Sequence, residues 1–428
     1  PIESAALRGI RGSAIRDLLA VTEQPEVLSL AGGLPATDLM PSDRIADAAA
    51  RTIGRPDALQ YTTSRGVSLC RDVVASIEDV DPDRILLTHG SQQALSLLAL
   101  ALVDPGDVVV VDDPVYVGAL QAFQCVRAEI VALPITRNGT NVGELSRLLE
   151  RGVRPRIVHT VSNFHNPSGA TASTATRNSL ADLAETYGFW IVEDDPYGRL
   201  SFDGASPTPI PGERTIRLGS ASKTLAPALR VGWLNATPAV VDLVERLKQS
   251  ADLCGSTLNQ LMVADLLADT EWFDAHIDTI ASAYSLRAHA LTSALDAELG
   301  NLVEYTSPTG GMFCWVRLRG VDTSELLSVA LSYGVAYVPG SAFAVDADLT
   351  DSARLSFATL QPDTLREAVR RLRTAIDDAA ELADMWRSLK EAGYRSTFLV
   401  QECIPGDDTA MRSVTAYMDS TGELRLIG

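Results

Sequence analysis

The chain has 428 residues, 46% of them hydrophobic and 21% charged, with 36 Lys plus Arg against 55 Asp plus Glu. That length exceeds what one hydrophobic core organises, so two or three domains are expected. The formal charge of −19 argues against nucleic acid and anionic membrane surfaces as partners, because both are met by clustered Lys and Arg. No run of about 18 apolar residues is present to cross a bilayer, and no signal-peptide h-region opens the chain. The cysteines (Cys70, Cys125, Cys254, Cys314 and Cys403) are scattered without a CxxC pair, which suits a reducing compartment. The histidines form neither HExxH nor another paired ligand spacing, so no metal is expected, and the protein reads as cytoplasmic.

Residues 1–42 predict an N-terminal arm: a short amphipathic helix, then the turn-rich VLSLAGGLPATDLMP. Beyond it, helical patterns surround LQYTTSRGVSLCRDVVASI, and short β-branched runs then alternate with helices. DRILLTHG precedes SQQALSLLALALV, GDVVVVDDP precedes VGALQAF, and AEIVALPI precedes ELSRLLERG. RIVHTVSNF precedes ATRNSLADLAETYG, and FWIVEDDPY follows. Short apolar strands separated by helices predict an α/β fold with a mostly parallel sheet covered on both faces. Residues 43–300 form the expected large domain, and 301–379, with GGMFCWVRLRG, VAYVPGSAFAV and SARLSFA, a smaller α+β domain. The tail, 380–428, changes character and reads as strand, loop, strand, DSTGE turn and strand.

In parallel sheets of this kind, ligands gather beyond the carboxyl ends of the strands. The polar words THGSQQ, DDPVY, SNFHNPSG, EDDPY and GSASK all follow predicted strands. The chain holds three lysines, and Lys223 lies among small apolar residues in SASKTLAPALR. An amine can lose its proton and form a Schiff base, which a guanidinium cannot, and apolar neighbours together with Arg230 would lower its pKa. Lys248 and Lys390 lie in amphipathic helical patterns and are expected to be solvated. Asp194 and Tyr197 flank a turn and face either a positive heteroaromatic ring or nothing but the turn itself. Asn166 is either an uncharged donor to a phenolate oxygen or part of an ordinary Asn-Pro turn. Ser91 and Gln92 open a helix whose free N–H groups suit a phosphate, unless Ser91 is a plain N-cap. Tyr116 follows a strand end and can lie against an aromatic ligand. Arg354, on a predicted inner strand, needs either a bound carboxylate or a structural salt bridge.

Taken in order, SLAGGLPATDLMP, LQYTTSRG, GSQQAL, DDPVYVGALQAF, NFHNPSGA, EDDPYG, SASKTLAPALRVGW and ARLSFA resemble one known family. They resemble the fold-type I, pyridoxal-phosphate-dependent aminotransferases of class I/II, nearest to the 2-aminoadipate/kynurenine aminotransferase-like branch. The resemblance runs from about Ser13 to Ile376 and implies a large domain around a mostly parallel seven-stranded sheet with a smaller α+β domain. It implies pyridoxal 5′-phosphate as cofactor, with Lys223 bonded to its aldehyde, Asp194 on the pyridine nitrogen, and Tyr197 and Asn166 on the phenolate. By the same resemblance Tyr116 stacks on the ring, and Ser91, Gln92, Ser220, Ser222 and Arg230 hold the phosphate. Arg354, with backbone around Gly33 and with Asn166, would bind the substrate, and Tyr61 would reach the phosphate of a second subunit in a homodimer with shared active sites. The family's usual Pro-Gly-Leu-Arg reads Pro227-Ala228-Leu229-Arg230 here, which requires a negative φ at Ala228.

The implied activity is transfer of an α-amino group from an L-amino acid, aromatic or larger aliphatic, to a 2-oxo acid such as 2-oxoglutarate, in two ping-pong halves. Another reaction on the same cofactor (β-elimination, decarboxylation, oxidation) and a cofactor-binding sensor without turnover are the alternatives. A winged-helix regulator is disfavoured by the short N-terminal arm. The tail looks like an internal piece of an ATP-grasp ligase without its acidic metal-binding strand, so ATP use is not expected.

Overall fold

β-Branched runs bounded by turns make the strands, and their burial on both faces makes them central. In the computed structural model, residues 26–205, 208–391, 415–418 and 424–427 are described. The expected N-terminal helix, the first tail strand and the DSTGE turn lie outside these residues. The chain divides into two compact units, Pro1–Thr374 and Ala375–Gly428.

The first unit begins with a short strand, β1 (Leu28–Ser29), then the helices α1 (Ser42–Ile53) and α2 (Ser68–Glu78). Seven strands follow: β2 (Ile85–Thr88), β3 (Val108–Asp113), β4 (Glu129–Pro134), β5 (Pro155–Thr160), β6 (Trp190–Asp194), β7 (Thr215–Ser220) and β8 (Gly232–Asn235). Their order in the sheet is β2-β8-β7-β6-β5-β3-β4, and β8 alone runs against its neighbours. Alternation along β3 shows the two-faced burial. Val109 and Val111 pack with Ile157, Val192 and Leu218 under α3 (Ser91–Leu102), α4 (Val117–Cys125) and α7 (Pro238–Ala251). Val110 points the other way, with Val158, Ile191 and Phe189, toward α5 (Val142–Glu150) and α6 (Thr174–Tyr187). Local chemistry sets the helix ends: Asn141 and Ser173 accept from the third residue onward, and Gly188 closes α6 in the left-handed conformation that the lack of a Cβ permits.

After α8 (Thr257–Ala268) and α9 (Thr270–Glu298) comes a four-stranded antiparallel sheet. Its strands are β9 (Val303–Tyr305), β10 (Phe313–Leu318), β12 (Val338–Pro339) and β13 (Ser352–Ser356), with α10 (Thr323–Ser332) and β11 (Val335–Ala336) between. β13 lies inside, paired with β10 and β12, so that Arg354 faces Trp315 on one side and Val338 on the other. The N-terminal segment joins here: β1 pairs in parallel with β11, and Ser356 N–H donates to Leu30 O at 2.7 Å. The long α11 (Pro362–Glu391) crosses the boundary between the units. In the second unit β14 (Thr415–Met418) pairs antiparallel with β15 (Leu424–Ile427). No helix among the described residues is long and apolar enough to cross a membrane.

Lys248 corrects the expectation of a solvated lysine. It is fully buried and continues the inward stripe of α7, one turn after Val244 and two after Val240. The spacing, not the polar head group, decided which way it faces.

The end of β3 is tied to the loop beyond β12 by one carboxylate. Asp113 accepts the backbone N–H groups of Val345, Asp346 and Ala347 at 3.1, 2.9 and 2.8 Å. Asp113→Ala removes the buried acceptor shared by all three half-buried or exposed donors and is expected to cost about 2 kcal/mol. A urea unfolding curve with its midpoint at lower concentration checks this; an unmoved midpoint would mean water replaces the carboxylate.

Candidate active site

The carboxyl ends of β2, β3, β5, β6 and β7 and the start of antiparallel β8 open on one edge of the large sheet. Gly232, the first residue of β8, pairs with both Thr88 and Ser220, which draws the residues after β2 and β7 together.

Lys223 follows β7, and its Nζ donates to Gly33 O at 2.8 Å, on the segment brought in by β1. Burial is the largest influence on this amine, followed by the charges of Arg354 and Arg230; against the pull of Asp194 they bring its pKa down to about 8. Arg230, the cation singled out in the sequence, is thus the lesser of two.

Asp194 ends β6 at 2% exposure, and its Oδ1 has no hydrogen-bond partner. Burial, then the neighbouring charge of Asp195, pushes its pKa up to about 7, with Lys223 opposing. The turn function belongs to Asp195 instead, which accepts Gly198 N–H at 2.8 Å and Arg217 Nη2 at 2.7 Å.

Arg354 is 2% exposed and has no carboxylate partner among the described residues. Nη1 donates to Asn166 Oδ1 at 2.8 Å and Nη2 to Ala31 O at 2.6 Å, while Nε has no partner. The guanidinium carbon lies 4.3 Å from the Phe313 ring centroid and 5.0 Å from that of Phe343. Burial lowers its pKa to about 10, against the partial pull of Tyr197 and Tyr116. The structural salt bridge considered for this arginine is therefore absent among the described residues. Asn166 also hydrogen-bonds the buried Tyr197, whose phenol is pushed up chiefly by burial and by Tyr116.

Tyr116 OH donates to Gln92 Oε1 at 3.1 Å, and Gln92 Nε2 donates to Gly118 O at 2.8 Å. A Cβ on Gly118 would stand 2.3 Å from Gln92 Oε1, so only glycine admits this contact. The Gln92 side chain is thus occupied, leaving its main-chain N–H for a ligand. Gly90 (φ 75°) is the N-cap of α3, and Ser91 is the first helical residue rather than the cap. Arg230 packs over Gly90 and donates from Nη2 to His89 O at 2.7 Å. Ser220 Oγ lies 2.9 Å from Ser222 Oγ and accepts the Ser222 N–H at 3.1 Å. Ala228, in the 3-10 turn Pro227–Leu229, is not among the positive-φ residues, so the alanine fits.

Tyr61 is not brought to these groups within one chain; it is 77% exposed, near exposed Leu59. The sequence reading missed the Phe313 and Phe343 faces on Arg354, which depend on non-local strand pairing. It also missed a polar chain from Lys248 through Asp252 to His89, for which the rarity of lysine was a usable signal.

The site holds an amine of lowered pKa, a buried carboxylate oxygen without a partner, and a buried guanidinium without a counterion. Beside them stand a helix N-terminus, two serines and an exposed arginine. Such a set can hold a ligand bearing an aldehyde, a ring N–H and a phosphate, together with a carboxylate.

The aminotransferase class I and II family model matches residues 25–372. The aromatic-amino-acid aminotransferase 1 of Thermococcus litoralis is 38% identical over 390 residues, 86% of this chain and 93% of that one. The 2-aminoadipate transaminase of Thermus thermophilus is 38% identical over 379 residues, 86% of this chain and 94% of that one. Among solved structures, the α-aminoadipate aminotransferase of Thermus thermophilus, complexed with N-(5′-phosphopyridoxyl)-L-leucine, superposes with a TM-score of 0.83 at 35% identity, covering 89% of this chain and 98% of that one.

In the cofactor-free protein, trinitrobenzenesulfonate labelling of Lys223 is expected to rise with a half-point near pH 8, not the ordinary 10.5. Peptide masses across a pH series measure it, and a half-point above 10 would mean the amine is not desolvated.

Proposed function

The chain belongs to the class I and II aminotransferases and is a pyridoxal 5′-phosphate-dependent enzyme acting between amino acids and 2-oxo acids; from that premise we propose how its residues divide the work. When bound, the cofactor supplies an aldehyde for the amino group and a ring that accepts the electron pair released at the α-carbon. The residues fit it, as the orphaned Oδ1 of Asp194 indicates: a buried carboxylate oxygen without a donor suits a ring N–H.

Asp194 holds that ring nitrogen in its protonated form, and the positive partner keeps the carboxylate ionised in a place where burial alone would neutralise it. Tyr197 and Asn166 hold the phenolate oxygen, and Tyr116 covers one face of the ring. The N–H groups of Ser91 and Gln92, the hydroxyls of Ser220 and Ser222, and Arg230 hold the phosphate. Lys223 Nζ binds the aldehyde at rest and takes and returns the proton at the amino acid's α-carbon; its pKa, lowered to about 8, gives it a far larger neutral fraction than an ordinary lysine. Arg354 takes the α-carboxylate of the substrate, beside the backbone at Gly33, and its two aromatic neighbours exclude water from the pair.

The observation that carries this reading is Arg354, a buried cation whose partners are all neutral. Each substrate, amino acid or 2-oxo acid, brings the missing carboxylate. An aromatic or larger aliphatic L-amino acid paired with 2-oxoglutarate is the proposed exchange; the aromatic-amino-acid relative supports the first donor class and the leucine adduct of the Thermus thermophilus structure the second. The exposed Tyr61 and Leu59 support a homodimer in which Tyr61 reaches the phosphate of the second subunit.

An absorbance spectrum of the purified holoenzyme, titrated with a panel of L-amino acids, tests the reaction. Bleaching of the visible band by aromatic donors, and its return with 2-oxoglutarate, is expected; release of ammonia without an oxo acid would reject transamination. Borohydride reduction of the holoenzyme is expected to leave the pyridoxyl group on Lys223 alone. Lys223→Ala is expected to lose roughly 10³-fold or more in kcat. Arg354→Gln is expected to raise KM for both substrates by about 10²-fold while borohydride still labels Lys223.

Sedimentation at twice the 45.7 kDa chain mass, and faster cofactor loss in Tyr61→Ala, check the dimer. A monomer that retains cofactor would reject it.

A further inference from the structure

No hydrogen bond or ion pair among the described residues joins Lys248 to the residues assigned to the reaction, yet it is fully buried in a chain that places a lysine at three positions only. A buried ammonium needs a compensating partner, and here Nζ donates to Asp252 Oδ1 at 2.7 Å. The other oxygen of that carboxylate, Oδ2, accepts Gln93 Nε2 at 2.6 Å and lies 3.1 Å from His89 Nδ1. Gln93 closes the loop by accepting the His89 N–H on Oε1 at 2.9 Å. The His89 carbonyl then accepts Arg230 Nη2 at 2.7 Å.

Three separate elements therefore meet at one carboxylate: Lys248 from the end of α7, Gln93 from the first turn of α3, and His89, the residue that follows β2. Burial opposes ionisation of Asp252, but the hydrogen bonds from Lys248 and Gln93 outweigh it and hold the carboxyl below its usual range. Burial is the largest influence on His89 and lowers its pKa, and its Nδ1 faces the Asp252 carboxylate at 3.1 Å. The chain of bonds runs from Lys248 through Asp252 and Gln93 to the His89 backbone just before the Gly90–Ser91 turn, and from there to Arg230. None of these bonds ends on Lys223, Asp194 or Arg354. Gly90 leaves no slack at this point, since a Cβ there would stand 2.9 Å from Arg230 Nη2.

We propose that Lys248 is a positioning residue for the cofactor phosphate: through Asp252 it fixes His89 and Gln93, and so holds the Gly90–Ser91 turn and Arg230 ready for the phosphate. The inference rests on the reading of this corner as the phosphate end of the site.

The full-length protein, freed of cofactor, is titrated with pyridoxal 5′-phosphate and separately with pyridoxal, and the bound chromophore gives two dissociation constants. The ratio isolates the phosphate, because pyridoxal keeps the aldehyde, the ring nitrogen and the phenolate. In Lys248→Met the constant for pyridoxal 5′-phosphate is expected to rise by about tenfold or more, as for the loss of one charge-assisted hydrogen bond, while that for pyridoxal stays put. His89→Ala, at a partly exposed position, is expected to move the ratio the same way. Should Lys248→Met fail to fold, Lys248→Met/Asp252→Asn leaves no buried charge unpaired and supplies the ratio instead. A wild-type preference for the phosphorylated form that survives unchanged in these variants overturns the inference and spares the site assignment. Equal weakening toward both compounds also overturns it, as the mark of a purely structural ion pair. A wild type without preference overturns the phosphate assignment itself.

Discussion

The site depends on keeping two opposite charges dry and apart. Arg354 is surrounded by an amide oxygen, a main-chain oxygen and two aromatic faces, and Asp194 keeps one oxygen without a donor. Burying an ion without its counterion costs several kcal/mol, so the fold must hold these groups against both solvent and each other. It does so by offering carbonyls where a carboxylate would be more stabilising. Ala31 and Gly33 lie on one short segment, and their carbonyls satisfy the Arg354 guanidinium and the Lys223 amine respectively. A carboxylate in either place would compete with the ligand. The pairing of β1 with β11 is what delivers that segment, which explains why so small a sheet matters.

The same economy of charge shows in the run Glu193-Asp194-Asp195. Strand alternation sends adjacent residues to opposite faces, and the three carboxylates meet different fates. Glu193 accepts Arg177 Nη1 at 2.9 Å, Ser162 Oγ at 2.6 Å and Ile210 N–H at 3.1 Å. Asp195 is held by Arg217, which also binds Glu78. Asp194, between them, is left unanswered. The saturated network on one side keeps the strand end rigid, and the carboxylate on the other is left with an oxygen free for the proposed ligand. Asp195 also raises the pKa of Asp194, so the structural carboxylate and the functional one are electrostatically linked.

Much of this was legible in the sequence, for identifiable reasons. Short β-branched apolar runs between helices set the strands of the large sheet, and the polar words after them marked its working edge. The role proposed for Lys223 followed from what an arginine cannot do. The partners of Arg354 were not legible, because Phe313, Phe343 and Ala31 reach it through pairings that span the small sheet. Gln92 was half legible: its place in the first turn of a helix was evident, but not that Tyr116 and Gly118 engage its side chain. Lys248 was misjudged because its head group was weighed above its register with Val240 and Val244. The residues around the tail's first predicted strand lie outside those described, and that expectation has no structural counterpart.

Arginine stands in for lysine almost throughout the chain, and one consequence concerns chemical selectivity rather than architecture. A free aldehyde condenses with any unprotonated amine it meets, and ordinary surface lysines trap it in unproductive adducts. Here Lys248 is sealed in the core and Lys223 sits in the chamber, so among the described lysine side chains no amine stands on the surface as a decoy. The composition of the exterior and the desolvation of the interior then act together. Among the described lysines, the amine open to a reactive carbonyl is then the one proposed to use it.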